Sequence, residues 1–166
     1  MRKSQEVIGL SIYRLQTGEK IGIVSDLLFN DASTFLGVLL EGSGLFKPRK
    51  YIPTEKIVSL GRDAVIVEKD AKPLALNDIK KRWVGVLSGQ RHLKGRPVLL
   101  STGNEIGSIE GVYFMEEVGT LIGYELSNGL INDFRRGRKI LKTQKPLVWG
   151  DDVCIAMSDE VELKDI

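Results

Sequence analysis

GEKIGIVSDLLFN (residues 18–30) and GNEIGSIEGVYFM (residues 103–115) carry the same pattern of glycine, turn and apolar run. Gly18, Ile21, Gly22 and Phe29 of the first recur in order as Gly103, Ile106, Gly107 and Phe114 of the second. Outward from there, FLGVLLEGSGL (35–45) matches LIGYELSNGL (121–130), with Gly37 falling on Gly123. KYIPTEKIVSLGRDAVIV (50–67) matches KILKTQKPLVWGDDVCI (139–155), with Gly61 on Gly150 and Asp63 on Asp152. The order of these features holds along both halves, which is the signature of a duplicated module.

Each copy reads as a series of short strands. Ile, Val, Leu, Phe and Tyr dominate the apolar runs, and these side chains suit a pleated, half-buried surface. In the first copy the runs predict strands over Val7–Leu15, Ile21–Phe29, Phe35–Glu41, Tyr51–Ile52, Ile57–Leu60 and Ala64–Val67. Turns fall at Thr17–Gly18, Asn30–Asp31 and Gly61–Asp63, where small or hydrogen-bonding residues tolerate tight backbone. Short strands in this number bury their apolar faces by curling into a small barrel, which also protects the edges. Gly22 and Gly37 lie inside strands, where bulges or bends account for them. The expectation is therefore all-β: two tandem small barrels joined by a short linker, with modules at 1–76 and 93–166. Residues 77–92 form the basic linker, in which Asn77 is placed to cap a short helix running to Trp83. Trp83 itself is expected to pack rather than stand exposed.

The stretches GEKIGIVSDLLFN and KYIPTEKIVSLGRDAVIV resemble the first hairpin and closing strands of the PRC-barrel domain, found in the photosynthetic reaction-centre H subunit and the ribosome maturation factor RimM. The second copy departs from that pattern at Leu141, Lys142 and Thr143, where the first has Pro53, Thr54 and Glu55. The resemblance implies a β-barrel that serves as a docking platform for other macromolecules.

Composition narrows the function classes. Charged residues are 28% and hydrophobic residues 42% of the chain, the balance of a globular protein. No run of about 18 apolar residues occurs to span a membrane, and MRKSQEVIGL lacks the apolar stretch of a signal peptide. A cytoplasmic location is expected. The net charge of +2 is too small to imply nucleic acid by itself. His92 and Cys154 are the one histidine and the one cysteine, far apart in sequence, which is a poor basis for zinc. Cys154 lies in an apolar run and reads as packing. There is no G-x-S-x-G elbow, and the glycines around Ser43 fit no phosphate-binding template. The pairs Asp151–Asp152 and Glu116–Glu117 point to opposite faces of a strand and do not converge on a substrate. Neither an enzyme nor a cofactor is expected.

The most informative polar feature is a pair of equivalent basic stretches. Lys47, Arg49 and Lys50 follow Phe46 in the first copy; Arg135, Arg136, Arg138 and Lys139 follow Phe134 in the second. Both are read as loops whose cations meet an acidic protein surface. An RNA or ribosome contact is the alternative. An aromatic content of only 7% disfavours it, because few rings are available to stack on bases. Solvated loops that discourage edge-to-edge association are the competing structural role. The expected function is a non-catalytic adaptor that binds another protein, with homo-oligomerisation left open.

Overall fold

The computed structural model describes residues 1–42, 48–79, 82–115 and 119–166. Its strands are β1 (Arg2–Lys3), β2 (Ser11–Arg14), β3 (Lys20–Asn30), β4 (Phe35–Leu40), β5 (Lys50–Pro53), β6 (Ile57–Leu60), β7 (Ala64–Val67) and β8 (Leu74–Ala75). They continue with β9 (Trp83–Gly85), β10 (Pro97–Leu100), β11 (Glu105–Phe114), β12 (Leu121–Ser127), β13 (Lys139–Thr143), β14 (Val148–Trp149), β15 (Cys154–Ala156) and β16 (Val161–Asp165). Two short helices, α1 (Ser4–Val7) and α2 (Leu130–Arg136), interrupt them.

The chain is all-β, in two eight-stranded sheets that share one topology. The first runs β6-β7-β2-β3-β4-β5-β8 and the second β14-β15-β10-β11-β12-β13-β16. Each holds one parallel pair, β2 with β7 and β10 with β15, and the other pairings are antiparallel. The duplication read from the glycines is thus repeated strand for strand. Gly22 pairs with Ile12 and Gly107 with Val98, each beside a register shift. The expected bulges therefore occur at equivalent points. The turns at Gly61 and Gly150 are also equivalent, closed by their N–H groups on Ala64 O at 2.9 Å and Val153 O at 3.0 Å.

Three local expectations are corrected. Val7–Leu15 is not one strand. Gly9, at φ 96°, breaks the run, and Ser4–Val7 turns helical, held by Glu6 Oε2 accepting Lys3 N–H at 3.1 Å. Among the described residues, Asn77 does not cap a helix to Trp83: a 3-10 turn spans Leu76–Asp78 with Ala75 as its cap, and Trp83 opens β9. The free edge of β3 supplies the reason, since Leu28, Phe29 and Asn30 pair with Gly85, Val84 and Trp83. Trp83 does pack, half-buried, against a small cluster of Leu28, Leu39 and Leu76. Finally, the basic stretch of the second half is not a single loop: Arg135 and Arg136 form the last turn of α2, and Lys139 opens β13. Gly129 (φ 99°) and Gly137 (φ 76°) bracket the helix. Gly137 N–H closes the last turn on Asp133 O, the left-handed glycine cap that ends many helices.

The two sheets enclose one continuous core. Val24, Leu27, Phe29, Val38, Ile52 and Val65 from the first half join Val98, Ile109, Val112, Phe114, Tyr124 and Leu141 from the second. Phe35 stacks on Phe114 across the junction at 6.1 Å between ring centroids. Thr34 bridges Thr120, its own equivalent, and Phe35 N–H donates to Gly119 O while Leu121 N–H donates to Ser33 O. A residue that pairs with its own counterpart marks a pseudo-twofold axis between the halves.

Candidate docking surface

The sequence-predicted cations fall into different environments. Lys47, with Phe46 and Ser43, lies outside the described residues, as do Glu116 and Glu117. Arg49 and Lys50 are exposed at the start of β5. Arg49 Nη2 donates to Ser88 Oγ at 3.0 Å, and Lys50 borders a shallow cleft with Ile21, Leu40, Glu41, Pro48 and Pro73. Arg135 and Arg136 are exposed on α2, whereas Arg138 and Lys139 are half-buried where β13 begins. Among the described residues no hydrogen bond or ion pair joins the first stretch to the second.

Arg138 is engaged inside the chain. Its Nη1 meets Glu125 Oε1 at 3.0 Å and its Nε lies 3.5 Å from Asp133 Oδ2. Glu125 is buried and also faces Lys3 Nζ at 3.5 Å. Lys3 in turn sits 5.4 Å over the Tyr113 ring, and the Tyr113 hydroxyl, with help from Glu125, raises its pKa. A buried carboxylate requires such partners, because unpaired burial of charge is costly. Asp133 is tied inward as well: Ser127 Oγ donates to Oδ2 at 2.5 Å and Asn128 N–H to Oδ1 at 3.0 Å. The Ser127 hydroxyl is the main cause that holds the Asp133 carboxyl below its ordinary value.

With Asp133 and Arg138 turned inward, α2 presents Phe134, Arg135 and Arg136 outward. Phe134 is 93% exposed, the most exposed of the large apolar side chains described. Arg135 and Arg136 occupy the last turn, where cations complement the helix dipole. Among the described residues, neither forms a hydrogen bond or ion pair. The result is a small tip with one aromatic ring and two unspent guanidinium groups.

The residues on which chemistry could have been built stand apart. His92 is exposed and its Nδ1 lies 3.0 Å from Gly89 O. Cys154 is fully buried on β15, and burial pushes its thiol up to about 11. Arg91 of the linker and Arg96 just beyond it are both held inside the chain. Arg96 Nη1 donates to Gly150 O and Arg91 Nη2 to Trp149 O, and Arg91 also pairs with Asp31 at 3.0 Å and Asp151 at 3.4 Å. They fasten the linker onto the β14–β15 turn.

Sequence reasoning missed two carboxylates. Asp26 and Glu125 each sit inside an apolar run, IVSDLLF and YELS, and both are buried. A charged residue at an inward position of a strand is itself the signal, since it demands a built partner set. Asp26 accepts N–H groups from Leu27, Val86, Leu87 and Ser88 at 2.8–3.2 Å.

Among the described residues, no helix is long and apolar enough to cross a membrane. Residues 1–73 match the family described as PRC-barrel domain. The chain is also similar to the Bacillus subtilis (strain 168) protein named Uncharacterized protein YrrD, at 24% identity over 149 residues, covering 89% of this chain and 82% of that protein. The family match covers β1 to β7, and the second half repeats their order. The resemblance to the PRC-barrel domain is thus borne out over residues 1–73.

Proposed function

We propose that the chain is a non-catalytic, cytoplasmic docking module that binds another protein through the tip of α2, with Phe134 as the apolar anchor and Arg135 and Arg136 as its charged flank. In this reading residues 1–76 and 93–166 are the two modules and 77–92 connects them. The observation that carries it is the exposure of Phe134 at 93% beside two guanidinium groups without internal partners among the described residues. An aromatic ring and arginines are the side chains that dominate binding energy when a partner desolvates them. Arginine also supplies bidentate bonds to carboxylates, so the favoured partner offers an apolar pocket rimmed by acidic residues. Arg138 steadies α2 through Asp133, and Arg49, Lys50 and Lys139 are further cations available to a partner. Nucleic acid is the less favoured partner, because Phe134 is the one exposed Phe, Tyr or Trp ring among the described residues and a single ring gives little base stacking.

The test is capture from native extract on the immobilised full chain, followed by titration of the purified partner. Phe134→Ala should weaken binding by about 10- to 100-fold, the range of a hot-spot truncation of about 1–3 kcal/mol. The Arg135→Ala, Arg136→Ala double variant should do the same and reduce the salt dependence. Retention that nuclease treatment abolishes would move the reading to RNA. Unchanged affinity in all three substitutions would refute it.

A further inference from the structure

Each half takes its leading strand from the other. β1, at the start of the first half, pairs with β11 of the second: Arg2 with Phe114 and Lys3 with Tyr113. β9, which leads into the second half, pairs with β3 of the first: Val84 with Phe29 and Gly85 with Leu28. Phe29 and Phe114 are equivalent, so Val84 and Arg2 are equivalent, as are Gly85 and Lys3. After these strands the chain crosses back to its own half. Gly9 N–H donates to Val24 O at 2.8 Å and Gly95 N–H to the equivalent Ile109 O at 2.7 Å. The exchange is therefore reciprocal about the pseudo-twofold axis.

The contacts that fix the exchange are not symmetric. On β3, Asp26 grips the N–H groups of Val86, Leu87 and Ser88. Gly85 makes room for it: a Cβ there would lie 2.5 Å from Asp26 Oδ2 and 2.5 Å from Ser88 O. The residue equivalent to Asp26 on β11 is Gly111. A Cβ at Gly111 would meet the Gln5 amide at 2.2 Å, because Gln5 lies over it and donates to Glu110 O at 3.2 Å. Ser4 Oγ completes that side by accepting Val112 N–H at 3.1 Å.

We infer that Asp26 with Gly85, and Gly111 with Gln5, form a specificity lock that makes each half accept the other's leading strand and reject its own. If the first half paired with a second copy of itself, Lys3 would stand where Gly85 stands and its Cβ would collide with the Asp26 carboxylate. If the second half paired with itself, Gly111 would leave the 86–88 N–H groups without their carboxylate. Like halves thus meet a clash or an unsatisfied site, and unlike halves meet neither. The partner of each pairing face is the complementary half, within one chain.

A protease site inserted between residues 80 and 81 of the full chain tests this. The cut protein is unfolded in urea, refolded, and counted by native mass spectrometry. Complexes of one first half with one second half should exceed either self-pair by at least about tenfold, the ratio given by about 1.4 kcal/mol. Self-pairs in statistical proportion, or halves that do not associate at all, overturn the inference. In the uncut chain, Gly85→Ala should speed hydrogen exchange at residues 84–88 by about tenfold or more and leave 154–156 unchanged. Unaltered exchange at 84–88 overturns it equally.

Discussion

Asp26→Ala is the most direct perturbation of the junction. The carboxylate accepts N–H groups from Leu27 and from three consecutive residues of the second half's leading segment, Val86, Leu87 and Ser88. Val86 N–H retains a long bond to Leu27 O at 3.3 Å after the change, while the part-buried N–H groups of Leu87 and Ser88 lose their acceptor. A stranded buried N–H costs about 1–3 kcal/mol. Removing the carboxylate also relieves its own desolvation, which offsets part of that loss. The expected net destabilisation is about 2–4 kcal/mol, or roughly 5–15 °C in Tm for a chain of this size. Asp26→Asn retains the shape but sets an amide NH2 against N–H donors, so it should show at least half the effect. The pH dependence has a defined sign. Burial is the largest influence on Asp26 and raises its pKa above the ordinary 3.8, against the pull of the backbone N–H groups. The folded state therefore binds more protons than the unfolded state between those two values, and the stability Asp26 contributes falls as pH rises through that window. The gap between wild type and Asp26→Ala should be widest below the ordinary value and narrow on the alkaline side. Urea denaturation across pH measures both quantities. A loss under about 1 kcal/mol, below the cost of even one stranded N–H, or a gap that widens with pH, refutes the reasoning.

Tyr124→Phe removes the acceptor of Trp149 Nε1, a buried bond of 2.9 Å, and should cost about 1–3 kcal/mol by thermal denaturation. Cys154, with its thiol pushed up to about 11, should resist a thiol reagent in mildly alkaline buffer while folded and react fully in denaturant. Arg138→Ala strips one partner from buried Glu125 and leaves Lys3 in place. It should destabilise by about 1–2 kcal/mol, the effect being limited by the solvent exposure of Arg138. Arg135→Ala and Arg136→Ala, by contrast, should each stay within about 0.5 kcal/mol of wild type in the same assay.

The sequence made the repeat legible because glycines and turns are local requirements of the backbone. Gly22 and Gly107 mark bulges, and Gly61 and Gly150 close two-strand turns, whatever else surrounds them. The crossing of the leading strands was not legible. Nothing in RK or WVG names the distant edge that each will join; that choice is made by Asp26, Gly85, Gly111 and Gln5 acting together across the chain. The equivalence of the basic stretches was legible only as composition. LFKPRK contains a proline, whereas LINDFRR is free of proline and bracketed by Gly129 and Gly137, so the second stretch forms a helix that alignment on its cations conceals. Once it is helical, Arg138 and Asp133 turn inward and Phe134 turns out.

A further divergence between the two halves starts at one position. Leu39 and Glu125 are equivalent, Leu39 pairing with Asp26 and Glu125 with Gly111 on the strands that receive the leading segments. Leu39 joins an apolar cluster with Leu28, Leu76 and Trp83, and no charge is required there. Glu125 makes the same place acidic, so the leading strand that covers it carries Lys3, the neighbouring ring is Tyr113, and Arg138 is drawn from the following segment. Drawing Arg138 inward, together with the Asp133 anchor on Ser127, sets the end of α2 against the barrel. The side chains between those two anchors, Phe134 to Arg136, are then held away from the sheet. One of the two tethers of the exposed tip thus runs to a buried carboxylate. Glu125→Leu, with Lys3→Val and Arg138→Leu to remove the stranded cations, should leave the fold as stable as wild type or more so, since an apolar replacement of a buried ion pair commonly does. It should also free α2 from one of its two tethers, seen as faster hydrogen exchange at residues 133–137. A triple variant with wild-type exchange there would show that Asp133 and Ser127 alone hold the helix.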